Sequence, residues 1–98
     1  MYFEEANTNC YTVYSKSGCP NCTKAKDLLK ENKLTYNVIN CDEYLLEYKQ
    51  EFLKFIAEIG LQAVATFPII FFDKKLVGGY KELQQHIKDK DFSLNEDF

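Results

Sequence analysis

Cys19-Pro20-Asn21-Cys22 constrains this chain more than any other stretch, because it stands where one periodicity ends and another begins. Before it, YTVYS (11–15) alternates and is rich in β-formers, which predicts a first strand with Tyr11, Val13 and Ser15 on one face. After it, TKAKDLLKEN has its apolar residues at helical spacing. That predicts a helix to about Asn32, with Cys22, Ala25, Leu28 and Leu29 on the buried side. Pro20 suits the first helical position, where its missing N–H has no partner to lose. The two thiols therefore belong to a strand-to-helix junction, one at the mouth of the helix and the other one turn in.

The rest of the chain continues the alternation. Residues 35–40 (TYNVIN) predict a second strand, and Asp42 is placed to cap a long helix running to about Ile59. Leu45, Tyr48, Phe52, Phe55, Ile56 and Ile59 form its apolar stripe, and Gly60 is a natural stop. PIIFF (68–72) is a continuous apolar run, as expected of a central strand covered on both faces. Asp73-Lys74-Lys75 turns the chain into a short return strand at Leu76-Val77, which Gly78-Gly79 break. A short final helix is expected from Tyr80 to Ile87 with Leu83 and Ile87 inward, followed by a frayed acidic tail. The order is β-α-β-α-β-β-α. This is an α/β chain whose first two strands run parallel through a right-handed crossover and whose last two form a hairpin.

Ninety-eight residues make one domain, taken as 1–98, with a leader (1–9) and a tail (91–98) expected to be peripheral. With 46% hydrophobic residues and 8 Phe and 7 Tyr, the chain can fill a core without disulfide staples. Its net charge is -3 and all 12 basic residues are lysine, which argues against a nucleic-acid backbone as the main partner. No apolar run approaches the roughly 20 residues that cross a bilayer. MYFEEANTN carries two acids and no base, the wrong start for a secretory signal, so a cytoplasmic protein is expected. Nothing demands more than a monomer.

The setting of Cys19 gives the pair its chemistry. A helix that begins at the motif turns its unpaired N–H groups and positive dipole end toward that sulfur, and Lys16 adds a positive charge nearby. Both favour thiolate over thiol. Cys22, more buried, is placed to attack a mixed disulfide formed at Cys19 and resolve it. Four cysteines also allow a zinc site by arithmetic. Yet Cys10 and Cys41 come singly, and the one histidine, His86, lies on the final helix and is expected to face solvent. No metal is expected. Cys10 starts the first strand and Cys41 ends the second, so in neighbouring parallel strands they lie at opposite ends of the sheet, unbridged.

With the motifs in view, the chain resembles the dithiol glutaredoxins. Lys16-x-x-Cys19-Pro20-Asn21-Cys22 resembles that family's Cys-Pro-Tyr-Cys site, Thr66-Phe67-Pro68 its Thr-Val-Pro, and Gly78-Gly79-Tyr80-Lys81-Glu82-Leu83 its Gly-Gly-Tyr-Ser-Asp-Leu. The three occur in family order over about residues 10–90. The resemblance implies a thioredoxin-like fold, a four-stranded mixed sheet with flanking helices, with Pro68 in the cis form facing the cysteines. It implies an oxidoreductase that binds no cofactor and uses glutathione as cosubstrate, reducing disulfide-containing or glutathionylated proteins, with ribonucleotide reductase a plausible acceptor. In the implied groove, Lys16 meets a ligand carboxylate, and Thr66, Phe67 and Pro68 flank the cysteinyl part. Gly79, Tyr80, Lys81 and Glu82 hold the γ-glutamyl end, where a helix N-terminus accepts a carboxylate and a side-chain carboxylate pairs with an ammonium.

The chain also departs from the family pattern. Asn21 replaces an aromatic residue, Phe67 a smaller valine, Lys81-Glu82 replace Ser-Asp, and Ala65 stands where an arginine is frequent. These bear on substrate choice and leave the thiol chemistry in place. A thioredoxin-like electron donor recycled by a flavoprotein reductase is the alternative, weakened because the chain has no Trp. An iron–sulfur or metal-binding role through Cys19 is a further one, weakened by Pro20.

Overall fold

All five residues of the first strand are buried. A half-exposed strand does not give that pattern, whereas a central strand covered on both faces does. In the computed structural model, which describes residues 2–95 and side chains through Asp89, this strand lies inside a sheet of order β2-β1-β3-β4. The strands are β1 (Tyr11–Ser15), β2 (Tyr36–Asn40), β3 (Ile69–Phe72) and β4 (Lys75–Gly78). The helices are α1 (Pro20–Glu31), α2 (Asp42–Glu47), α3 (Lys49–Gly60) and α4 (Tyr80–Asn95). β1 runs parallel to β2, from Tyr11↔Tyr36 to Ser15↔Asn40, and antiparallel to β3, from Tyr11↔Phe72 to Tyr14↔Ile69. β4 is antiparallel to β3, and Asp73 and Lys74 between them both have positive φ (51° and 67°), as a tight hairpin turn requires.

The period-2 alternation of β1 sorts its side chains between two apolar clusters. Tyr11 and Val13 pack with Ile70, with Ala25 and Leu29 of α1 and with Leu83 and Ile87 of α4. Tyr14 joins Ile39, Ile69, Phe71 and the α3 residues Phe52 and Ile56, and Cys22 closes this cluster near the start of α1. Gly60 ends α3 where a Cβ would come within 3.3 Å of Leu76, so the helix end lies close against β4. No helix among the described residues is long and apolar enough to cross a membrane.

The structure corrects several expectations. The leader is not peripheral. Phe3 and Ala6 are buried, and the Phe3 ring stands 4.9 Å from Tyr44, 5.4 Å from Phe52 and 5.5 Å from Phe55, centroid to centroid. Tyr14 Oη donates to the Glu4 carbonyl at 2.7 Å, fastening the leader across the sheet. The long helix from Asp42 is two helices that meet at Tyr48 (φ -135°, ψ 36°). The change of direction lets Tyr44 of α2 and Phe52 and Phe55 of α3 enclose Phe3 together. Asp42 does not cap that helix. Its own N–H is capped by Asn40 Oδ1 at 2.9 Å, and its carboxylate is used elsewhere. The left-handed residue after α3 is Leu61 (φ 60°), one beyond the expected glycine. α4 runs to Asn95, so the helix is long and the first part of the expected frayed tail is helical, while residues 96–98 lie outside the described residues. His86 does not simply face solvent. It is half-buried, with Nδ1 2.8 Å from Tyr11 Oη and its ring against Tyr11 and Phe72.

Candidate active site

β1 delivers the chain to the cysteine pair through Lys16-Ser17-Gly18. Gly18 has φ +68° with open space where a Cβ would stand, so glycine is wanted there for its conformation and not for room. Cys19 is the N-cap of α1 with extended backbone (φ -115°, ψ 97°), and Pro20 occupies the first turn. The Cys22 N–H donates to Cys19 Sγ at 3.2 Å, and the Cys19 carbonyl accepts from Cys22 and Thr23 N–H at 3.1 and 3.3 Å. The positive end of α1 therefore points at the outer sulfur and stabilises a thiolate there once the pair is reduced. Cys19 and Cys22 are joined as a disulfide with Cα atoms 5.2 Å apart. Cys22 is buried and Cys19 only half so, which makes the outer sulfur the one an incoming disulfide can reach.

The approach loop is fastened from the neighbouring strand end. Ser17 donates both its N–H (2.9 Å) and its Oγ–H (2.5 Å) to the Asp42 carboxylate. These two bonds, more than the Lys16 charge, hold the Asp42 carboxyl below the usual range. The sequence assigned Asp42 to a helix cap; the fold uses it to hold the loop that carries Cys19.

Phe67-Pro68 is cis. The pairing of β3 with β1 begins at Ile69, so the Phe67 backbone stands ahead of the sheet. Beside it opens a groove of about 500 Å³. One wall is the loop from Gln62 to Thr66 with Phe67 and Pro68, and the other runs from Val77 through Glu82. Asn21, from between the cysteines, lines the same space. Here the start of α4 is built by glycine and glutamate together. The Gly79 N–H donates to Glu82 Oε1 at 2.8 Å, the carboxylate half of a capping box, and the Leu83 N–H reaches the Gly79 carbonyl at 2.9 Å. Gly78 has φ +130°, and a Cβ there would stand 2.7 Å from Glu82 Cγ. A Cβ on Gly79 would stand 3.3 Å from Glu82 Oε1 and in ordinary contact, 3.6 Å, with Pro68 O, which places the start of α4 beside the cis proline.

The structure thus gathers Thr66, Phe67, Pro68, Gly79, Tyr80, Lys81 and Glu82 into one groove next to the cysteine pair. Lys16 stands on the other side of Phe67, its Nζ 5.6 Å from the ring centroid, in a separate smaller pocket. Glu82, which lines the groove, is already engaged by Gly79 through one carboxylate oxygen. The sequence reading singled out Ala65 but missed Gln62, Ala63, Val64 and Val77, which belong to no recognisable motif. It also left Gly78 out of the site, although the Gly-Gly pair was signal enough. Cys10 and Cys41 are free thiols outside the disulfide. Cys41 is fully buried in the cluster around Phe52, and burial together with the nearby Asp42 and Glu4 charges pushes its thiol up to about 12, against an opposing hydrogen bond from Ser15. Among the described residues, no three His, Cys, Asp or Glu side chains come together as metal ligands.

A parallel β1–β2 pair, an antiparallel β3–β4 hairpin, a cis proline and a Cys-x-x-Cys disulfide at a helix mouth define a dithiol–disulfide protein of thioredoxin-like fold. The comparisons narrow this. The glutaredoxin family model matches residues 11–77. Mitochondrial glutaredoxin-2 of Pongo abelii is 34% identical over 76 residues, covering 78% of this chain and 45% of that protein. Glutaredoxin-like protein NrdH of Lactococcus lactis is 34% identical over 70 residues, covering 71% and 86%. Among solved structures, glutaredoxin 1 of Francisella tularensis, crystallised with cacodylate, superposes with a TM-score of 0.69 at 28% identity, covering 87% of this chain and 95% of that one. The chain belongs to the glutaredoxin family, with the cysteine pair of its dithiol members. It spans about half the length of the mitochondrial relative.

Proposed function

We propose that this protein is a glutathione-dependent thiol–disulfide oxidoreductase that reduces protein disulfides and glutathione mixed disulfides through Cys19 and Cys22. The observation that carries the proposal is the position of the disulfide, its outer sulfur accepting the Cys22 N–H in the first turn of α1 and beside a groove bounded by Phe67-Pro68 and the start of α4. In the reduced protein the Cys19 thiolate attacks one sulfur of a substrate disulfide, forming a mixed disulfide while the other substrate sulfur leaves as thiolate. The Cys22 thiolate then attacks Cys19 Sγ, closing the Cys19–Cys22 disulfide and releasing the second substrate thiol. One glutathione thiolate reopens the pair at Cys19. A second attacks the bound glutathione sulfur and leaves as glutathione disulfide, so two electrons pass from two glutathiones to one substrate disulfide.

In this reading the Phe67 backbone pairs with the extended cysteinyl part of glutathione as a strand would. Thr66 and Pro68 flank it, and Gly79, Tyr80 and Lys81 at the N-terminus of α4 receive the γ-glutamyl carboxylate. The free oxygen of Glu82 takes the ammonium, and Lys16, past Phe67, takes the opposite carboxylate. Glutathione is the cosubstrate, with no resident cofactor. Disulfide-containing or glutathionylated proteins are the acceptors, ribonucleotide reductase among them. The same proposal makes the protein a cytoplasmic monomer in electron transport, working where thiols are kept reduced.

The test is NADPH consumption coupled through glutathione and glutathione reductase, with a small mixed disulfide as substrate, and a parallel run with thioredoxin reductase instead. Turnover with glutathione is expected. Cys19→Ser abolishes it, whereas Cys22→Ser keeps deglutathionylation and loses reduction of protein disulfides. Turnover with thioredoxin reductase alone would move the protein to the electron-donor reading, which one observation favours: Glu82 already spends an oxygen on Gly79.

A further inference from the structure

The pocket behind Phe67 is only partly accounted for by glutathione, whose carboxylate reaches Lys16 and leaves Lys49, Leu45 and Leu53 unused. It measures about 270 Å³ and is lined by Lys16, Leu45, Lys49, Leu53, Ala65 and Phe67. Two features set it apart. Its charge runs against that of the chain, which is net -3, because it holds two lysines and no acid. Neither lysine is in a salt bridge; the one salt bridge among the described residues joins Lys74 to Glu5. Lys16 lies over the Phe67 ring, three residues ahead of Cys19. Lys49 opens α3, and Leu53, one turn later, shares its face. The lining is also apolar behind the charges, with Leu45 and Leu53 both half-buried.

That combination suits a polypeptide better than glutathione. The glycine end of glutathione brings one carboxylate and no side chain, so it leaves the surfaces of Leu45 and Leu53 uncovered and Lys49 with no partner. A protein chain continuing past its reactive cysteine brings a side chain to cover the leucines and a carboxylate for the second lysine. Resting on the reading that Cys19 attacks substrate disulfides, we propose that this pocket docks an acidic, apolar-flanked segment next to the disulfide of a protein substrate. Lys49 is then a specificity residue that selects acidic substrates. An exposed charge pair contributes about 1 kcal/mol at most, so one lysine is worth up to about fivefold in KM, diminishing as salt screens it.

The experiment uses two synthetic peptides with the same internal Cys-x-x-Cys disulfide and the same flanking leucines, one carrying glutamate on both sides and the other lysine. Appearance of the reduced peptide, trapped by acid quench and separated by chromatography, is followed in single turnovers of the pre-reduced protein without glutathione, so the result does not depend on how the enzyme is reset. Wild type is expected to react several-fold faster with the acidic peptide at subsaturating concentration, and the preference falls with added salt. Lys49→Glu inverts the preference while leaving turnover of the uncharged bis(2-hydroxyethyl) disulfide unchanged. Equal rates for the two peptides in wild type would overturn the proposal. So would a Lys49→Glu variant that changes only the KM for glutathione, since the pocket would then serve the glycine carboxylate. Failure of glutathione to reset the enzyme, with the peptide preference intact, would count against the proposed glutathione dependence and not against the docking pocket.

Discussion

Replacing Gly78 by alanine tests how the groove wall is built. The residue sits at φ +130°, a conformation that costs an L-residue about 1–3 kcal/mol. The new Cβ would also stand 2.7 Å from Glu82 Cγ and 2.8 Å from its Cβ, so the glutamate must swing away and release the Gly79 N–H. That bond is worth about 1 kcal/mol. Alanine recovers roughly 0.4–1 kcal/mol by narrowing the unfolded ensemble. The net expectation is a loss of about 2–3 kcal/mol, which in a domain of this size lowers Tm by about 10–20 °C. Urea unfolding followed by circular dichroism measures it. Glu82→Ala alone should cost only about 1 kcal/mol. In the Gly78→Ala/Glu82→Ala double variant the contact with Cγ is gone but the Cβ at 2.8 Å remains, and the Gly79 bond that each single variant loses is lost only once, so the double loss should fall short of the sum of the single losses by about 1 kcal/mol. A Gly78→Ala protein within about 0.5 kcal/mol of wild type would refute the reasoning, as would strict additivity in the double variant.

Three further outcomes follow from the packing. Phe3→Ala removes a ring enclosed by Tyr44, Phe52 and Phe55 and should destabilise by about 3 kcal/mol in urea unfolding; a loss near zero would return the leader to the periphery. The depressed Asp42 carboxyl stabilises the fold above the unfolded carboxylate pKa, and that contribution is lost as pH falls through the lower folded value. Wild type should therefore lose stability more steeply than Asp42→Asn as pH drops from about 5 toward 2; parallel curves would remove the clamp from the account. Cys41, buried and held as thiol, should resist iodoacetamide at pH 8 in the folded protein and react once urea unfolds it, as read by mass spectrometry.

Local sequence determined a large part of this protein. The alternation in residues 11–15, the apolar spacing after Pro20 and the run at 68–72 specify β1, α1 and β3, because each records burial that repeats along a single element. The cysteine pair was legible for the same reason: four consecutive residues place a sulfur, a proline and a helix mouth together without help from elsewhere. What only the tertiary structure decided is every contact between residues far apart in the chain. Nothing near Phe3 in sequence says that its ring will pack against both Tyr44 and Phe52, on either side of the break at Tyr48, so neither that break nor the anchored leader is legible locally. Asp42 carries a helix-capping residue type and is drawn off by Ser17, 25 residues away. Lys49 reads as an ordinary solvated helix residue until the fold brings α3 beside Phe67 and sets it opposite Lys16. Local periodicity reports which side of an element is buried and is silent about its partner, and the groove is built between such partners.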